Sequence, residues 1–210
     1  MSDLPAGVER RSFDGKQRLA TRGQPVYGEP TDGEWRLGDA GRSKLGAMLE
    51  LGMEIPLEGG ESVLYLGAAS GTTVSHVADF AGPTYAVEFA PRPARDLVEV
   101  AESRPTLFPL LKDARKPESY SHIVERDLDL VVQDVATRGQ ARVAVENARF
   151  LGDGGLLCLA VKARSEDVTA DPEIVFEQVR ENLSDAYESI DSRRLEPFHD
   201  DHLGIVATKR

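Results

Sequence analysis

Four charged side chains each follow a short apolar run, and residues of these types can hold a ligand or move a proton. Glu88, Asp113, Asp134 and Lys162 come after such runs, and a turn of small residues, 67–73, follows another. A carboxylate can accept hydrogen bonds from sugar hydroxyls, and a lysine can stabilise an oxyanion or, when neutral, accept a proton. Taken singly, either aspartate could instead cap a helix, and the lysine could be a solvated strand end. The repetition of the pattern favours one common site.

The elements that must position these residues alternate between strands and helices. Five apolar runs are predicted as strands, at residues 63–66, 85–87, 107–111, 128–132 and 156–161. Helices are predicted at residues 41–51, 72–80, 93–104, 117–125, 139–150 and 172–185. The segment 152–155, Gly-Asp-Gly-Gly, is expected to interrupt the chain before the fifth strand. This alternation indicates βαβ units and a mostly parallel sheet with both faces covered.

Two further extended segments, 189–196 and 203–208, are predicted to pair as an antiparallel hairpin. Five parallel strands followed by such a hairpin indicate an α/β protein with the Rossmann-like methyltransferase fold, a mostly parallel seven-stranded sheet. The first forty residues are rich in Gly, Pro and charge, with short strands predicted at 8–13, 17–21 and 34–37. We therefore expect a small N-terminal β region over residues 1–40 and a methyltransferase catalytic domain over residues 41–210.

The turn at residues 67–73 indicates which ligand the sheet would hold. In open parallel sheets, ligands bind beyond the carboxyl ends of the strands. The turn reads Gly-Ala-Ala-Ser-Gly-Thr-Thr and lacks the second glycine of the dinucleotide fingerprint, which disfavours a nicotinamide oxidoreductase. S-adenosylmethionine has no phosphate and needs a ribose acceptor, an adenine pocket and room for a sulfonium. Glu88, Asp113 and the turn can supply these, so S-adenosylmethionine is the predicted cofactor.

The charge balance of the chain is acidic and poor in lysine. The net charge is −11, and only six of the 25 cationic residues are lysine. Such a composition suits a molar-salt cytoplasm and predicts a halophilic source, the alternative being an ordinary acidic enzyme. Taken alone, it argues against a protein that grips nucleic acid through a basic face.

Three features bear on the compartment. The single cysteine, Cys158, lies in an apolar run and is predicted to be a small core residue. The longest aliphatic run, 156–161, is too short to cross a bilayer, and the N-terminal charges are not followed by the apolar stretch of a secretory signal. These features predict a cytoplasmic protein without a membrane partner.

Seven segments of the chain resemble, in order, the motifs of the fibrillarin family. They are Arg-Ser-Lys-Leu at 42–45, the glycine turn and helix at 64–77, Tyr-Ala-Val-Glu-Phe at 85–89, Asp-Ala-Arg at 113–115, Gln-Asp-Val-Ala at 133–136, Val-Lys-Ala at 161–163 and Asp-Asp-His at 200–202. The resemblance extends from about Gly28 to the C-terminus. Without the Gly/Arg-rich extension of eukaryotic members, the chain resembles the archaeal form, and its acidity suggests a haloarchaeon.

The resemblance implies an S-adenosylmethionine-dependent ribose 2′-O-methyltransferase that acts on rRNA and tRNA. With Gly67 of the turn, the implied cofactor contacts are Thr72, Thr73, Glu88, Phe89, Asp113, Ala114, Asp134, Val135, Ala136 and Thr137. Thr137 stands where the family usually has the longer Gln. The family's Lys-Asp-Lys-His constellation falls on Lys44, Asp134, Lys162 and His202.

The implied chemistry gives these four residues separate tasks. A ribose 2′-hydroxyl is a poor nucleophile at neutral pH, so the site must position it and remove its proton. Asp134 would lie beside the methyl group, Lys162 would meet the hydroxyl, and His202 would orient the ribose or relay the proton. A second cation at Lys44 favours a lowered lysine pKa, whereas Asp134 opposes it. The identity of the general base stays open.

The resemblance also implies partners that reconcile RNA chemistry with an acidic surface. A box C/D guide RNA selects the target, a Nop-type scaffold protein docks the enzyme, and a kink-turn-binding protein anchors the RNA. Arg42, Arg138 and Arg164 either contact phosphate or are plainly solvated. Two other classes stay open: a methyltransferase acting on a small molecule or protein, and a non-catalytic cofactor-binding subunit of an RNA particle.

Overall fold

The computed structural model of the protein describes residues 4–210 and divides their strands between two sheets. The smaller, antiparallel sheet has the order β1-β2-β4-β3 and contains β1 (Val8–Phe13), β2 (Lys16–Arg22), β3 (Thr31–Asp32) and β4 (Trp35–Leu37). The three strands predicted here are confirmed, and β3 has too few residues to form a recognisable pattern. The boundary at residue 40 stays a prediction, and residues 1–3 of the predicted N-terminal region lie outside the described residues.

The larger sheet carries the predicted methyltransferase topology. Its order is β10-β11-β9-β8-β5-β6-β7, and its strands are β5 (Val63–Leu66), β6 (Thr84–Glu88), β7 (Leu107–Leu111), β8 (Leu128–Gln133), β9 (Leu151–Lys162), β10 (Tyr187–Arg194) and β11 (His202–Lys209). Strands β5 to β9 run parallel, and β11 joins β9 and β10 antiparallel. Because β5 lies between β6 and β8, the strand order reverses there, and a ligand crevice is expected at the carboxyl ends of these strands.

Helices cover both faces of this sheet. They are α1 (Lys44–Glu50), α2 (Thr72–Ala78), α3 (Pro91–Ala101), α4 (Gln140–Asn147), α5 (Ala163–Glu166) and α6 (Pro172–Leu183). Side chains alternate between the faces of a strand. Leu64 and Leu66 of β5 therefore join the apolar cluster under α4 and α6, whereas Val63 and Tyr65 join the cluster under α1, α2 and α3.

Three local predictions need correction. The helix predicted at residues 117–125 is only a 3-10 turn, Pro117–Ser119, followed by further turns that bury Tyr120. The Tyr120 hydroxyl donates to Asn147 Oδ1 (2.5 Å). This contact with a residue 27 positions away overrides the local helical pattern. The glycine segment 152–155 lies within β9, where the register against β8 slips, so it forms a bulge rather than a break. The short helix α5 was not predicted.

A network of buried charges joins the two sheets, and it is called the arginine network below: Glu29, Arg36, Asp79 and Arg104. Arg36 of β4 is fully buried, and its Nε donates to Asp79 Oδ2 (2.8 Å), just beyond α2. Arg104 Nε donates to the other oxygen, Asp79 Oδ1 (3.1 Å). Glu29 lies 3.4 Å from Arg36 and accepts the backbone N–H groups of residues 26 and 27.

The turn held by Glu29 brings the small sheet to the glycine turn of the large one. The hydroxyl of Tyr27 donates to the backbone oxygen of Ser70, within the turn that follows β5. The N-terminal sheet therefore contributes to the position of the segment that leads into α2.

The structure bears on two of the features used to predict the compartment, the membrane-spanning segments and the cysteine. Within residues 4–210, no helix combines the length and apolar character needed to cross a membrane. Cys158 is fully buried in the apolar cluster under α1–α3, and burial raises the pKa of its thiol to about 12. The prediction of a core cysteine is confirmed.

Candidate functional site

The turn after β5 is held closely against the end of β8. Gly67 has a φ of +84°, and a Cβ at this position would lie 2.3 Å from the backbone oxygen of Asp134. The Asp134 N–H also donates to the backbone oxygen of Leu66 (2.9 Å). Only glycine fits this approach, so the turn sequence brings the carboxyl ends of β5 and β8 together.

Glu88, the last residue of β6, organises the same turn from the other side. Its Oε2 accepts the N–H of Ala69 (3.0 Å), and its Oε1 accepts the N–H of Ala90 (2.8 Å). Ala69 has a left-handed φ of +48°, which this hydrogen bond helps to hold. An ionised carboxylate has about four acceptor positions, so each oxygen of Glu88 retains acceptor capacity for a ligand.

Asp113, after β7, is fixed by its own loop. The Arg115 guanidinium donates to both carboxylate oxygens (Nε–Oδ1 2.9 Å, Nη2–Oδ2 2.8 Å). These hydrogen bonds hold the pKa of Asp113 below its usual value. The next residue, Ala114, accepts the Asn147 side-chain amide at its backbone oxygen (3.0 Å). Asp113 caps no helix in the described structure, which removes the capping alternative.

The ends of β5, β6, β7 and β8 surround a cavity of about 290 Å³. Nine of the eleven predicted cofactor residues line it: Gly67, Glu88, Phe89, Asp113, Ala114, Asp134, Val135, Ala136 and Thr137. The cavity is also lined by Ala69 of the predicted turn and by Val87, Lys112 and Arg115, which the sequence reasoning missed. Lys112 and Arg115 stand beside Asp113 directly after β7, a position that could have indicated them.

The two predicted contacts Thr72 and Thr73 do not line this cavity. Both lie in the first turn of α2, and their contact with the cofactor stays a prediction. Thr73 instead borders a small apolar cavity under the N-terminal sheet.

Asp134 also belongs to a second group of residues, the strand-end cluster, defined as Lys44, Asp134, Lys162 and His202. Lys44, the first residue of α1, donates its Nζ to Asp134 Oδ2 at 2.9 Å. Their side chains are 24% and 27% exposed, so the pair remains open to a ligand. Asp134 thus makes an ion pair instead of capping α4, whose start has no side-chain cap.

Lys162 and His202 face each other across the antiparallel strands β9 and β11. Their Cα atoms are direct partners in the register, and opposite residues of an antiparallel pair project from the same face. The neighbouring Arg164 is bound to Asp201 (Nε–Oδ2 2.9 Å), close to this pair. The topology therefore places the lysine and the histidine side by side at the carboxyl end of β9.

His202 is held in a form that can accept a proton. Its Nδ1 lies 2.6 Å from the backbone oxygen of Asp200, so Nδ1 carries the hydrogen and Nε2 is the acceptor. Burial lowers the pKa of the ring, and the hydrogen bond to Asp200 opposes this shift. The positive charges of Lys44 and Lys162 lower the pKa further. Because the ordinary value is about 6.5, the ring is neutral at pH 7.

The arrangement combines an acid-lined cavity with a cluster of proton-handling side chains. Glu88, Asp113 and Asp134 can hold hydroxyl, amino and cationic groups of a small ligand. The Lys162 ammonium group can bind a hydroxyl, and the neutral His202 ring can accept its proton. This combination suits group transfer from a cavity-bound donor to an oxygen of a larger acceptor.

Comparison with known proteins agrees with this geometry. The fibrillarin family model matches residues 9–210. A fibrillarin-like rRNA/tRNA 2′-O-methyltransferase from Halorubrum lacusprofundi is 70% identical over 208 residues, which cover 99% of this chain and 98% of that protein. A haloarchaeal relative at this identity agrees with the halophilic character predicted from composition.

Two solved structures share the fold over nearly the whole chain. Fibrillarin in a fibrillarin/Nop5p complex is 40% identical with a TM-score of 0.91, covering 100% of both chains. Aeropyrum pernix fibrillarin with natively bound S-adenosyl-L-methionine is 43% identical with a TM-score of 0.83, covering 99% of this chain and 100% of that one. The fold and the family predicted from the motifs are confirmed, and the chain belongs to the fibrillarin family.

Proposed function

We propose that the chain methylates the 2′-hydroxyl of ribose in rRNA and tRNA, with S-adenosylmethionine as the methyl donor. The observation that carries this proposal is the position of Asp134, which lines the cavity and binds Lys44 of the strand-end cluster. One residue thus connects a cavity suited to a donor with side chains suited to deprotonating an acceptor. The name of the Halorubrum lacusprofundi relative supports the same reaction.

The cavity residues fit S-adenosylmethionine. Gly67 leaves no side chain between the turn and Asp134, and Glu88 presents fixed carboxylate oxygens that would accept both ribose hydroxyls. Asp113 would accept the adenine amino group beside the backbone of Ala114, and Asp134 would offset a positive sulfonium. Bound S-adenosylmethionine supplies an electrophilic methyl group. The structure of Aeropyrum pernix fibrillarin with this molecule supports the fit.

The strand-end cluster would prepare the ribose hydroxyl. Lys44 fixes the Asp134 carboxylate at the cavity, and Lys162 would bind the 2′-oxygen from the edge of β9. The proton would leave to Lys162 in its neutral form or to Nε2 of His202, whose lowered pKa keeps it unprotonated at pH 7. Asp134 is the third possible acceptor.

Target selection is proposed to rest with partners rather than with this chain. A Nop-type scaffold protein, a box C/D guide RNA and a kink-turn-binding protein would form the particle, and the fibrillarin/Nop5p complex supports the scaffold. A net charge of −11 is compatible with RNA modification if the guide and scaffold hold the substrate. Because the substrates are rRNA and tRNA, the proposed compartment is the cytoplasm.

A reconstituted methyl-transfer assay tests the proposal. The chain is combined with scaffold, kink-turn-binding protein, guide RNA and a complementary target at molar salt, with a labelled methyl donor. One methyl group is expected at the guide-specified ribose, and a target with 2′-deoxyribose at that position should accept none. Transfer to the deoxy target, or no transfer by the complete particle, would contradict the proposal.

The isolated chain provides the second arm of this test. We expect it to bind target RNA poorly and to methylate it little, because at molar salt the screening length is only about 3 Å. Omitting the guide or the scaffold should therefore remove site-specific transfer. Tight, guide-independent RNA binding at molar salt would show that recognition is not delegated.

A further inference from the structure

The backbone of Lys162 is held on one side by a side chain rather than by a neighbouring strand. Parallel pairing between β8 and β9 ends at Gln133 and Leu159. Beyond that point, the Gln140 side chain takes the place of a strand: its Oε1 accepts the Lys162 N–H (2.9 Å), and its Nε2 donates to the Lys162 backbone oxygen (3.0 Å). Both backbone polar groups of Lys162 are thereby bound to one carboxamide.

Gln140 is itself fixed, so it can act as a rigid support. It is fully buried at the start of α4, and its backbone N–H donates to Glu166 Oε1 (2.5 Å). The other oxygen of Glu166 accepts the N–H of Gly139 (2.8 Å). The backbone oxygen of Gln140 accepts the side-chain amide of Gln133, which precedes Asp134 (2.8 Å). The same residue is therefore tied to the ends of both β8 and β9.

We propose that Gln140 is a positioning residue that sets the direction of the Lys162 side chain toward the ribose hydroxyl. This inference rests on the proposed function, because it assigns Gln140 a role only through Lys162. With β11 on one side and the Gln140 carboxamide on the other, rotation of the Lys162 backbone is restricted. A lysine at a free strand end would spread its ammonium group over many positions and lose effective concentration at the hydroxyl.

The test uses Gln140→Met, which preserves the length of the side chain but can form neither hydrogen bond. The matched control is Tyr187→Phe, which removes another buried hydrogen bond to the same helix (Tyr187 hydroxyl to Ala144 backbone oxygen, 2.9 Å) far from Lys162. Both variants are assembled into the complete particle. Gln140→Glu, which keeps the acceptor but loses the donor, provides a second variant if Gln140→Met does not fold.

Three measurements separate positioning from a general structural effect. Amide hydrogen exchange should become faster at Lys162 in Gln140→Met but not in Tyr187→Phe. Single-turnover methyl transfer should fall by roughly 10- to 100-fold in Gln140→Met, with unchanged S-adenosylmethionine affinity. In a Lys162→Ala background, the same Gln140 substitution should change the rate by less than about twofold, because the positioned group is already gone.

The outcomes separate the failure of this inference from the failure of the proposed function. If the wild-type particle transfers methyl groups but Gln140→Met keeps a near-native rate, the positioning role is overturned and the proposed function stands. Equal rate losses in the wild-type and Lys162→Ala backgrounds would also overturn it, since Gln140 would then act independently of Lys162. If the wild-type particle transfers nothing, the proposed function fails first.

Discussion

Two groups of charged side chains, the arginine network and the strand-end cluster, both contain ion pairs but differ in their exposure to solvent. In the arginine network, the side chains of Arg36, Asp79 and Arg104 are 0%, 4% and 6% exposed. In the strand-end cluster, Lys44 and Asp134 are about a quarter exposed. The first group is closed to solvent, and the second is open to a ligand.

The residue types match this difference. The planar guanidinium group of arginine distributes several donors in fixed directions, and Arg36 reaches Asp79, Glu29 and the Ser75 hydroxyl. An ammonium group has three N–H donors, of which Lys44 gives one to Asp134. In a chain with only six lysines, arginine forms the buried contacts between the sheets, whereas lysine forms the partly exposed pair with Asp134.

The largest effect is expected on the rate of methyl transfer when the strand-end cluster is changed. Lys162→Ala should reduce the single-turnover rate on the order of 10²–10⁴-fold, the range for loss of a general base. Lys162→Arg should lose nearly as much, because arginine stays protonated and its fork misplaces the donors. Both variants should bind S-adenosylmethionine normally.

The control for these rates is Lys16→Ala, which removes an exposed lysine from the small sheet. High activity in Lys162→Arg but not in Lys162→Ala would indicate that charge alone is needed. A near-native rate in Lys162→Ala would remove Lys162 from the mechanism and leave Asp134 or His202 as the proton acceptor.

Breaking the arginine network should lower the free energy of unfolding rather than the rate of methyl transfer. Asp79→Ala leaves two buried guanidinium groups without their shared carboxylate, and it is expected to destabilise the fold by about 3–5 kcal/mol. Denaturant unfolding at fixed salt measures this. Asp96→Ala, which removes an exposed pair with Arg95, should cost at most about 1 kcal/mol. Equal losses in the two variants would refute the contrast between closed and open pairs.

Glu88 is intermediate, since it is buried but holds only neutral N–H groups. Glu88→Ala should weaken S-adenosylmethionine binding by about 1.5–3 kcal/mol, the range for hydrogen bonds to a charged group. Calorimetric titration at high salt measures the affinity. Glu99→Ala removes an exposed carboxylate from α3 and should leave the affinity unchanged. An unchanged affinity in Glu88→Ala would place the ribose elsewhere.

The smallest effect is a pH dependence at the edge of the arginine network. Burial, aided by the charge of Arg36, lowers the pKa of His76 to about 3, so the unfolded chain binds a proton below pH 6.5 that the folded chain does not. Stability from this group is complete above pH 6.5 and decreases as the pH falls, by about 1.2 kcal/mol between pH 7 and 5.5. His76→Gln should make the free energy of unfolding less dependent on pH in this range, whereas His122→Gln, at an exposed histidine, should leave the dependence unchanged. Parallel curves for wild type and His76→Gln would contradict the assignment.

The sequence predicts the large sheet well because its strands are buried on both faces and appear as continuous apolar runs. It fails where distant contacts decide the local structure. Residues 117–125 have a helical pattern, but burying Tyr120 against Asn147 and Phe150 replaces the helix with turns. The glycines at 152–155 indicate a loop, whereas the pairing of β8 and β9 resumes across them.

The site follows a similar division. Residues that directly follow strands could be predicted, since the fold brings those positions together. Contacts between remote segments, such as Arg36 with Asp79 or Gln140 with Lys162, leave no local pattern. Lys44, 90 residues from Asp134, was indicated only by the family resemblance. The same resemblance named Thr72 and Thr73, which do not line the cavity and whose contact with the cofactor stays a prediction.

The parallel pairing of β5 with β8 has a consequence for how the molecule is assembled. Val63 pairs with Leu130, so two strands and two helices must fold between the segments that meet at Gly67 and Asp134. Such remote pairings form slowly, and the cavity exists only after they are made. A ligand held there binds the finished sheet alone, and at a hundredfold excess over its Kd it would add about 2.7 kcal/mol of stability. Cofactor supply would thus act on the lifetime of the folded chain as well as on its chemistry.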